Sequence, residues 1–222
     1  MRKIAMIIFT LAITVAPVFA DWIDDMRGAR EGESALMSGD YKTAYEKLKP
    51  EADKGNPIAQ YRLGQMYRLG YGFSQNDREA IKWFRKSAQQ GNENAQYELG
   101  ELYSDEKYKN YKLAARYFRD AAENKHFIAQ YRMGTMFRDG KGVIQDYVQA
   151  HMWFNIAMAE EKNIDSTRKS TNEIEKKMTP NQIAEAQKMA REWVKDHTGK
   201  AMTPADHEKM MKYLGEITGK SK

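Results

Sequence analysis

The chain has 222 residues, of which 30% are charged and 41% hydrophobic, with a formal net charge of +5 and no cysteine. That balance fits one or two folded domains and argues against global disorder. The mild basicity does not point to nucleic acid, and the lack of cysteine excludes a disulfide framework, a thiol nucleophile and a lipid-modified cysteine.

The first segment, "MRKIAMIIFTLAITVAPVFADW", carries Arg2 and Lys3 ahead of an apolar run from Ile4 to Val15. The run is short for a membrane span, Pro17 interrupts it, and Val18 and Ala20 place small residues at −3 and −1 of a cut before Asp21. This is the layout of a cleavable secretory signal over residues 1–20, with an uncleaved anchor as the alternative. Removing Arg2 and Lys3 leaves 34 basic residues (36 − 2) against 31 acidic, a net of +3. The sequence therefore predicts an exported protein, in a Gram-negative periplasm or secreted. Its stability would rest on packing alone, and no integral membrane segment would remain after cleavage.

Residues 21–55 read as a partial helical unit, with a turn at Gly39-Asp40 and a helix carrying Ala44, Tyr45, Leu48 and Ala52. Then the chain repeats itself. "AQYRLG" at 59–64 returns as "AQYELG" at 95–100 and "AQYRMG" at 129–134. A second block follows each copy: "AIKWFRKSA" at 80–88, "AARYFRDAA" at 114–122 and "AHMWFNIAM" at 150–158. From Gly64 to Trp83 and from Gly134 to Trp153 is 19 residues, but from Gly100 to Tyr117 only 17, so the middle copy has lost two loop residues. A period in the mid-thirties marks a helical solenoid. The units run over 56–91, 92–125 (with the shortened loop) and 126–161.

Each unit reads as two antiparallel helices. Ala59, Leu63, Met66 and Tyr67 share one side of the first; Ala80, Ile81, Phe84 and Ala88 make the buried stripe of the second. Gly64, Gly100 and Gly134 cost a helix about 1 kcal/mol each against alanine, which implies close approach of a neighbouring helix. Gly70, Gly72, Gly140 and Gly142 let the links reverse in positive φ. Between units, Gly55 and Gly91 end one helix and Asn56 and Asn92 begin the next. Residues 162–196 read as capping helices, a charged one followed by one opened by a capping box at Thr179, Pro180 and Gln182. Residues 197–222 read as a hinge and a short tail helix.

The run Ala-Gln-x-x-Leu-Gly, Tyr, Gly-x-Gly, Ala-x-x-Trp-Phe-x-x-Ala resembles the Sel-one-like repeat, a relative of the tetratricopeptide repeat. The resemblance covers about residues 31–195, with Met133 standing for Leu and the middle unit lacking the loop glycines. It implies an all-α, right-handed α-solenoid with a C-terminal capping helix. It also implies an adaptor that assembles protein complexes, and exported bacterial members are associated with cell-envelope processes. Some Cys-rich relatives bind or hydrolyse β-lactams; this chain has no cysteine, and that activity is not carried over.

For catalysis the chain offers no G-x-S-x-G, P-loop or H-E-x-x-H. His126, His151, His197 and His207 show no ligand spacing and read as surface or boundary residues, so no metal or cofactor is expected. Met133 and Met136 correspond to Leu99 and Leu102, or Leu63 and Met66, in the sister units, which assigns them to the core. Gln60, Gln96 and Gln130 read as buried amides serving backbone groups. Stepping 100° per residue groups Tyr61, Gln65 and Arg68 on a different arc. The same positions give Tyr97, Glu101 and Ser104, then Tyr131, Thr135 and Arg138. In a helical solenoid first helices line the concave surface, so this arc is the candidate docking face for a partner peptide or helix. The competing reading packs these tyrosines between units. The function expected is a non-catalytic scaffold, monomeric or weakly oligomeric. The alternatives are a cell-wall or β-lactam-directed hydrolase and a glycan- or lipid-surface-binding envelope component.

Overall fold

A computed structural model describes residues 28–160 and 165–198. The signal over 1–20 and the tail over 199–222 lie outside the described residues. Every described element is a helix: α1 (residues 28–37), α2 (Tyr41–Asp53), α3 (Pro57–Leu69), α4 (Asp77–Ala88), α5 (Glu93–Ser104), α6 (Tyr111–Glu123), α7 (Phe127–Asp139), α8 (Tyr147–Glu160), α9 (Asp165–Glu175) and α10 (Pro180–Thr198).

The helix starts follow side-chain chemistry. Asn56 accepts from the backbone N–H groups of Ile58 and Ala59 at 3.0 and 3.1 Å, Asn92 accepts from Ala95 at 2.9 Å, and Pro57 fills the first position of α3, where no N–H is needed. At the third repeat an imidazole does the same work: His126 Nδ1 accepts from Ala129 N–H at 3.2 Å. The capping box of α10 forms as expected, with Thr179 N–H donating to Gln182 Oε1 at 2.8 Å and Gln182 N–H to Thr179 Oγ1 at 3.3 Å. Gly70 and Gly140 close α3 and α7 in the left-handed conformation, at φ 71° and 68°. The shortened link manages without glycine, and Lys109 takes φ 42° there.

The chain divides into two compact units, the first ending at Ala95 and the second beginning at Gln96. In the first, Ala44, Leu48, Ala52, Ala59, Leu63, Met66 and Trp83 form the core. The returning glycine finds its reason here: a Cβ on Gly64 would sit 2.4 Å from the Phe84 ring, so the second helix lays its phenylalanine directly on the first helix's backbone. The α1–α2 pair uses the same device, since a Cβ on Gly32 would lie 2.6 Å from the Leu48 side chain. In the second unit Gly100 receives Phe118 and Gly134 receives Phe154 in the same way, at 2.5 and 2.4 Å. All three phenylalanines are buried. Burying each is worth about 2–3 kcal/mol in apolar transfer, more than the helix loses at glycine.

The capping region completes the second unit. The helix α8 is apolar almost all round, which demands cover on every side. It packs on α7, α9 and α10, and Trp193 of α10 meets Trp153 edge-on at 5.8 Å. The charged helix α9 buries Thr167, Ser170, Thr171 and Ile174, and Ile174 joins Ala150 and Phe154 in one cluster.

His151 corrects the expectation of a surface or boundary residue. It is fully buried, with Nε2 2.7 Å from Glu175 Oε1 and Nδ1 2.8 Å from Asn155 Nδ2. The neutral tautomer with the proton on Nε2 satisfies both contacts, donating to the carboxylate and accepting from the amide. A polar side chain can be buried when both its ring nitrogens are paired, and the pairing ties α8 to the end of α9. His126 and His197 are half-buried, as expected of boundary residues, and His207 lies outside the described residues.

Candidate functional site

The three motif tyrosines hold equivalent places. Tyr61 lies tilted on Phe84 with ring centroids 5.9 Å apart, Tyr97 on Phe118 at 5.9 Å and Tyr131 on Phe154 at 5.6 Å. Each is half-buried, so one ring edge rests on its own repeat's core and the hydroxyl end reaches a polar layer. Burial pushes the Tyr61 and Tyr97 phenols above their ordinary value, and for Tyr97 the Glu101 carboxylate pushes further the same way.

The polar residues of the arc are tied into the scaffold. In the first unit Tyr61 Oη accepts from Gln65 Nε2 at 2.7 Å, and Gln65 Oε1 accepts from Arg62 Nη1 at 2.9 Å. Arg62 Nε also donates to Glu33 Oε1 at 3.0 Å, one repeat back. Arg68 is half-buried on the same helix. In the second unit Arg132 pairs with Glu101: Nη2 donates to Oε2 at 2.9 Å, and Nε lies 2.8 Å from Oε1 as an ion-pair contact without hydrogen-bond alignment. Ser104 is half-buried, and Thr135 Oγ1 donates to the carbonyl of Arg132 at 2.7 Å. Sequence reasoning missed Arg62 and Arg132 as site residues. The signal was present: an acid follows the motif glycine at Glu33 and Glu101, and an arginine follows the motif tyrosine 29 and 31 residues later.

Two of the three buried glutamines, Gln60 and Gln130, serve backbone. Gln60 Nε2 donates to the carbonyl of Ala52 at 3.0 Å and Gln130 Nε2 to that of Ala122 at 3.4 Å, in each case near the end of the preceding repeat's second helix. Gln60 and Gln96 also accept, from Gln90 at 2.9 Å and Asn124 at 3.0 Å. Met133 and Met136 are buried, as their equivalence with leucine requires.

Beyond Tyr131 the second unit opens into a cleft of about 530 Å³ among the end of α7, the α7–α8 link, the start of α8 and the end of α9. Arg138 of the arc lines it. Its guanidinium donates to both oxygens of Asp139, at 2.7 and 3.1 Å, and approaches Ser170 Oγ at 3.5 Å. Tyr131 Oη is also 3.5 Å from Ser170 Oγ, so tyrosine and cleft share one hydroxyl. Among the described residues no cluster of His, Asp and Glu could hold a metal ion, and no helix is long and apolar enough to cross a membrane.

Helix pairs repeated at this period, locked by a glycine–phenylalanine contact and presenting half-buried tyrosines, define a helical-repeat protein of the α-solenoid class. The Sel1 repeat profile matches residues 57–92, 94–126 and 128–159. A Sel1 repeat protein from Oxalobacter formigenes is 34% identical, with a TM-score of 0.52, over 58% of this chain and 96% of that one. A protective antigen present in uropathogenic Escherichia coli strains, displaying an SLR fold, is 26% identical over 87% of this chain and 49% of its own, with a TM-score of 0.47. A search of curated proteins finds no match. The chain belongs to the Sel1 repeat family. Repeats of this family generally serve as protein-interaction scaffolds.

Proposed function

We propose that this protein is an exported, non-catalytic scaffold of the bacterial periplasm or cell envelope that docks a polypeptide partner on the first-helix face of its repeats. The observation that carries this reading lies in the second unit. Tyr97 and Tyr131 stand in equivalent positions with half-exposed rings, each braced from below by a buried phenylalanine. A braced tyrosine offers contact area and a hydroxyl with little rotamer entropy left to lose, which favours a docking partner. The ion pair between Arg132 and Glu101 bridges the two helices that carry these tyrosines. Residues 1–20 supply the support for export.

The test is in-cell photo-crosslinking from position 97 in the fractionated envelope, with the partner identified by mass spectrometry and the mature N-terminus sequenced. The reading expects an N-terminus at Asp21 and one dominant protein adduct that Tyr131→Ala weakens. Adducts to glycan or lipid alone, or a chain retained in the cytoplasm, would overturn it.

A further inference from the structure

We infer that the cleft at the α7–α9 junction receives the carboxylate side chains of an acidic, glutamate-rich segment of that polypeptide partner; this deepens the scaffold reading and rests on it. What carries it is the balance of charge in the cleft. Arg138, Lys176 and Lys177 bring cationic groups to the cleft, against the carboxylates of Asp139 and Glu173. Asp139 is paired with Arg138, one hydrogen bond to each oxygen, and Glu173 bears on the same guanidinium. Glu173 is exposed.

The cationic donors are far less used. Lys177 Nζ makes one long contact, 3.4 Å to Tyr147 Oη, and lies 5.4 Å from the centroid of that ring. Lys176 is exposed and has no ion pair or hydrogen bond with any described residue. With three cations against two carboxylates, the cleft carries one positive charge in excess, borne by exposed ammonium groups that each offer three N–H donors. A carboxylate is the group that answers that excess.

The walls select the length of the carboxylate arm. Ile174 is buried beneath the cleft and the Tyr147 ring forms one side. Gln145 is held by its amide on the carbonyl of Arg138 at 2.7 Å. The methylenes of a glutamate can lie along the Tyr147 ring while the carboxylate reaches the lysines. The buried Ser170 hydroxyl lies 3.5 Å from both Tyr131 Oη and Arg138 Nη1, so the cleft adjoins the Tyr131 end of the candidate face.

The probe is N-acetyl hexaglutamate amide, with hexaglutamine as control, titrated into the intact mature protein at low salt and followed by amide chemical shifts. Shifts concentrated at residues 138, 145, 147, 176 and 177, absent with hexaglutamine, support the inference. Lys176→Glu with Lys177→Glu is expected to weaken hexaglutamate binding by roughly tenfold, as reversal of two exposed charges implies. Both side chains are exposed, and an unchanged far-UV spectrum confirms that the variant folds. Shifts scattered over the surface, equal shifts with hexaglutamine, or affinity untouched by the two reversals would overturn it. So would binding of the same variant-sensitive kind to phosphatidylglycerol vesicles alone. If the position-97 crosslink to its partner survives the two reversals unchanged, the scaffold reading stands and the acidic-segment inference falls; if no protein adduct forms at position 97, the scaffold reading falls on its own evidence.

Discussion

The repeat built from α3 and α4 and the one built from α7 and α8 are close copies inside and different outside. Inside, Ala59, Gln60, Leu63, Gly64 and Phe84 of one correspond to Ala129, Gln130, Met133, Gly134 and Phe154 of the other, all buried. Outside, the link after α3 builds an aromatic cluster: Tyr71 stacks on Tyr41 at 4.6 Å, and Phe73 meets Tyr67 at 4.4 Å and Tyr45 at 5.6 Å. The equivalent link after α7 carries Lys141, 5.7 Å from the Tyr111 ring centroid, and Val143 where the other has Phe73. The lesson is a division of labour. The motif encodes the contact between the two helices of a pair, and the side chains around it are free to carry whatever each neighbourhood needs.

If that division holds, matched interior substitutions should cost the same in both repeats. Phe84→Ala and Phe154→Ala are each expected to remove about 3–5 kcal/mol, because each empties a buried site over a glycine that cannot fill it. Chemical denaturation read separately for each unit checks this, and unequal losses beyond experimental scatter would break the comparison. Next in size, Gly64→Ala and Gly134→Ala should each destabilise by about 1–3 kcal/mol, although alanine is the better helix former. The new methyl has 2.4 Å to the phenylalanine ring in both places. The link glycines should separate the repeats instead. A Cβ on Gly142 would fall 2.0 Å from the Tyr111 carbonyl oxygen, whereas on Gly72 it would meet the Tyr41 Cβ at 3.0 Å. Both residues have positive φ, so both variants are strained, and Gly142→Ala should lose more than Gly72→Ala.

The same division explains what could be read from residues alone. Spacing exposed the repeats, and the penalty for glycine in a helix demanded a close neighbour, so the interior was legible before any coordinate. The partner ring was not named, because periodicity places a stripe but not the residue opposite it. The α1–α2 pair was under-read: Gly32 meets a leucine in place of a phenylalanine, and the motif around it is too worn to stand out. His151 was misplaced because its cover comes from Glu175 on another helix and from Asn155, and nothing in its local sequence announces a buried imidazole. The candidate face was legible as an arc of equivalent positions. What its polar members hold was not, since Glu101 is engaged by an arginine 31 residues away.

A smaller difference between the two repeats is visible in alkali. Tyr67 occupies the place of Phe137, and burial, reinforced by its hydrogen bond with Tyr45, pushes its phenol up to about 12. A phenol raised in the folded state stabilises the fold below the ordinary tyrosine value of about 10, and that contribution is lost as pH climbs from there through about 12. Ultraviolet titration of phenolate should show a late step that Tyr67→Phe deletes. A Tyr67→Phe protein with an unchanged titration curve would sink the assignment.

The smallest effect concerns the ladder that braces the candidate face. Arg132 and Glu101 are partly exposed, so the pair is screened, and a double-mutant cycle of Arg132→Ala with Glu101→Ala should return a coupling of about 0.2–1 kcal/mol. Added salt should lower it. Stability is the lesser readout. If the ladder holds Tyr97 and Tyr131 in register for a partner, either single substitution should weaken capture at position 97 by more than its stability cost predicts. A ladder that only braces the fold would leave capture of the folded protein unchanged.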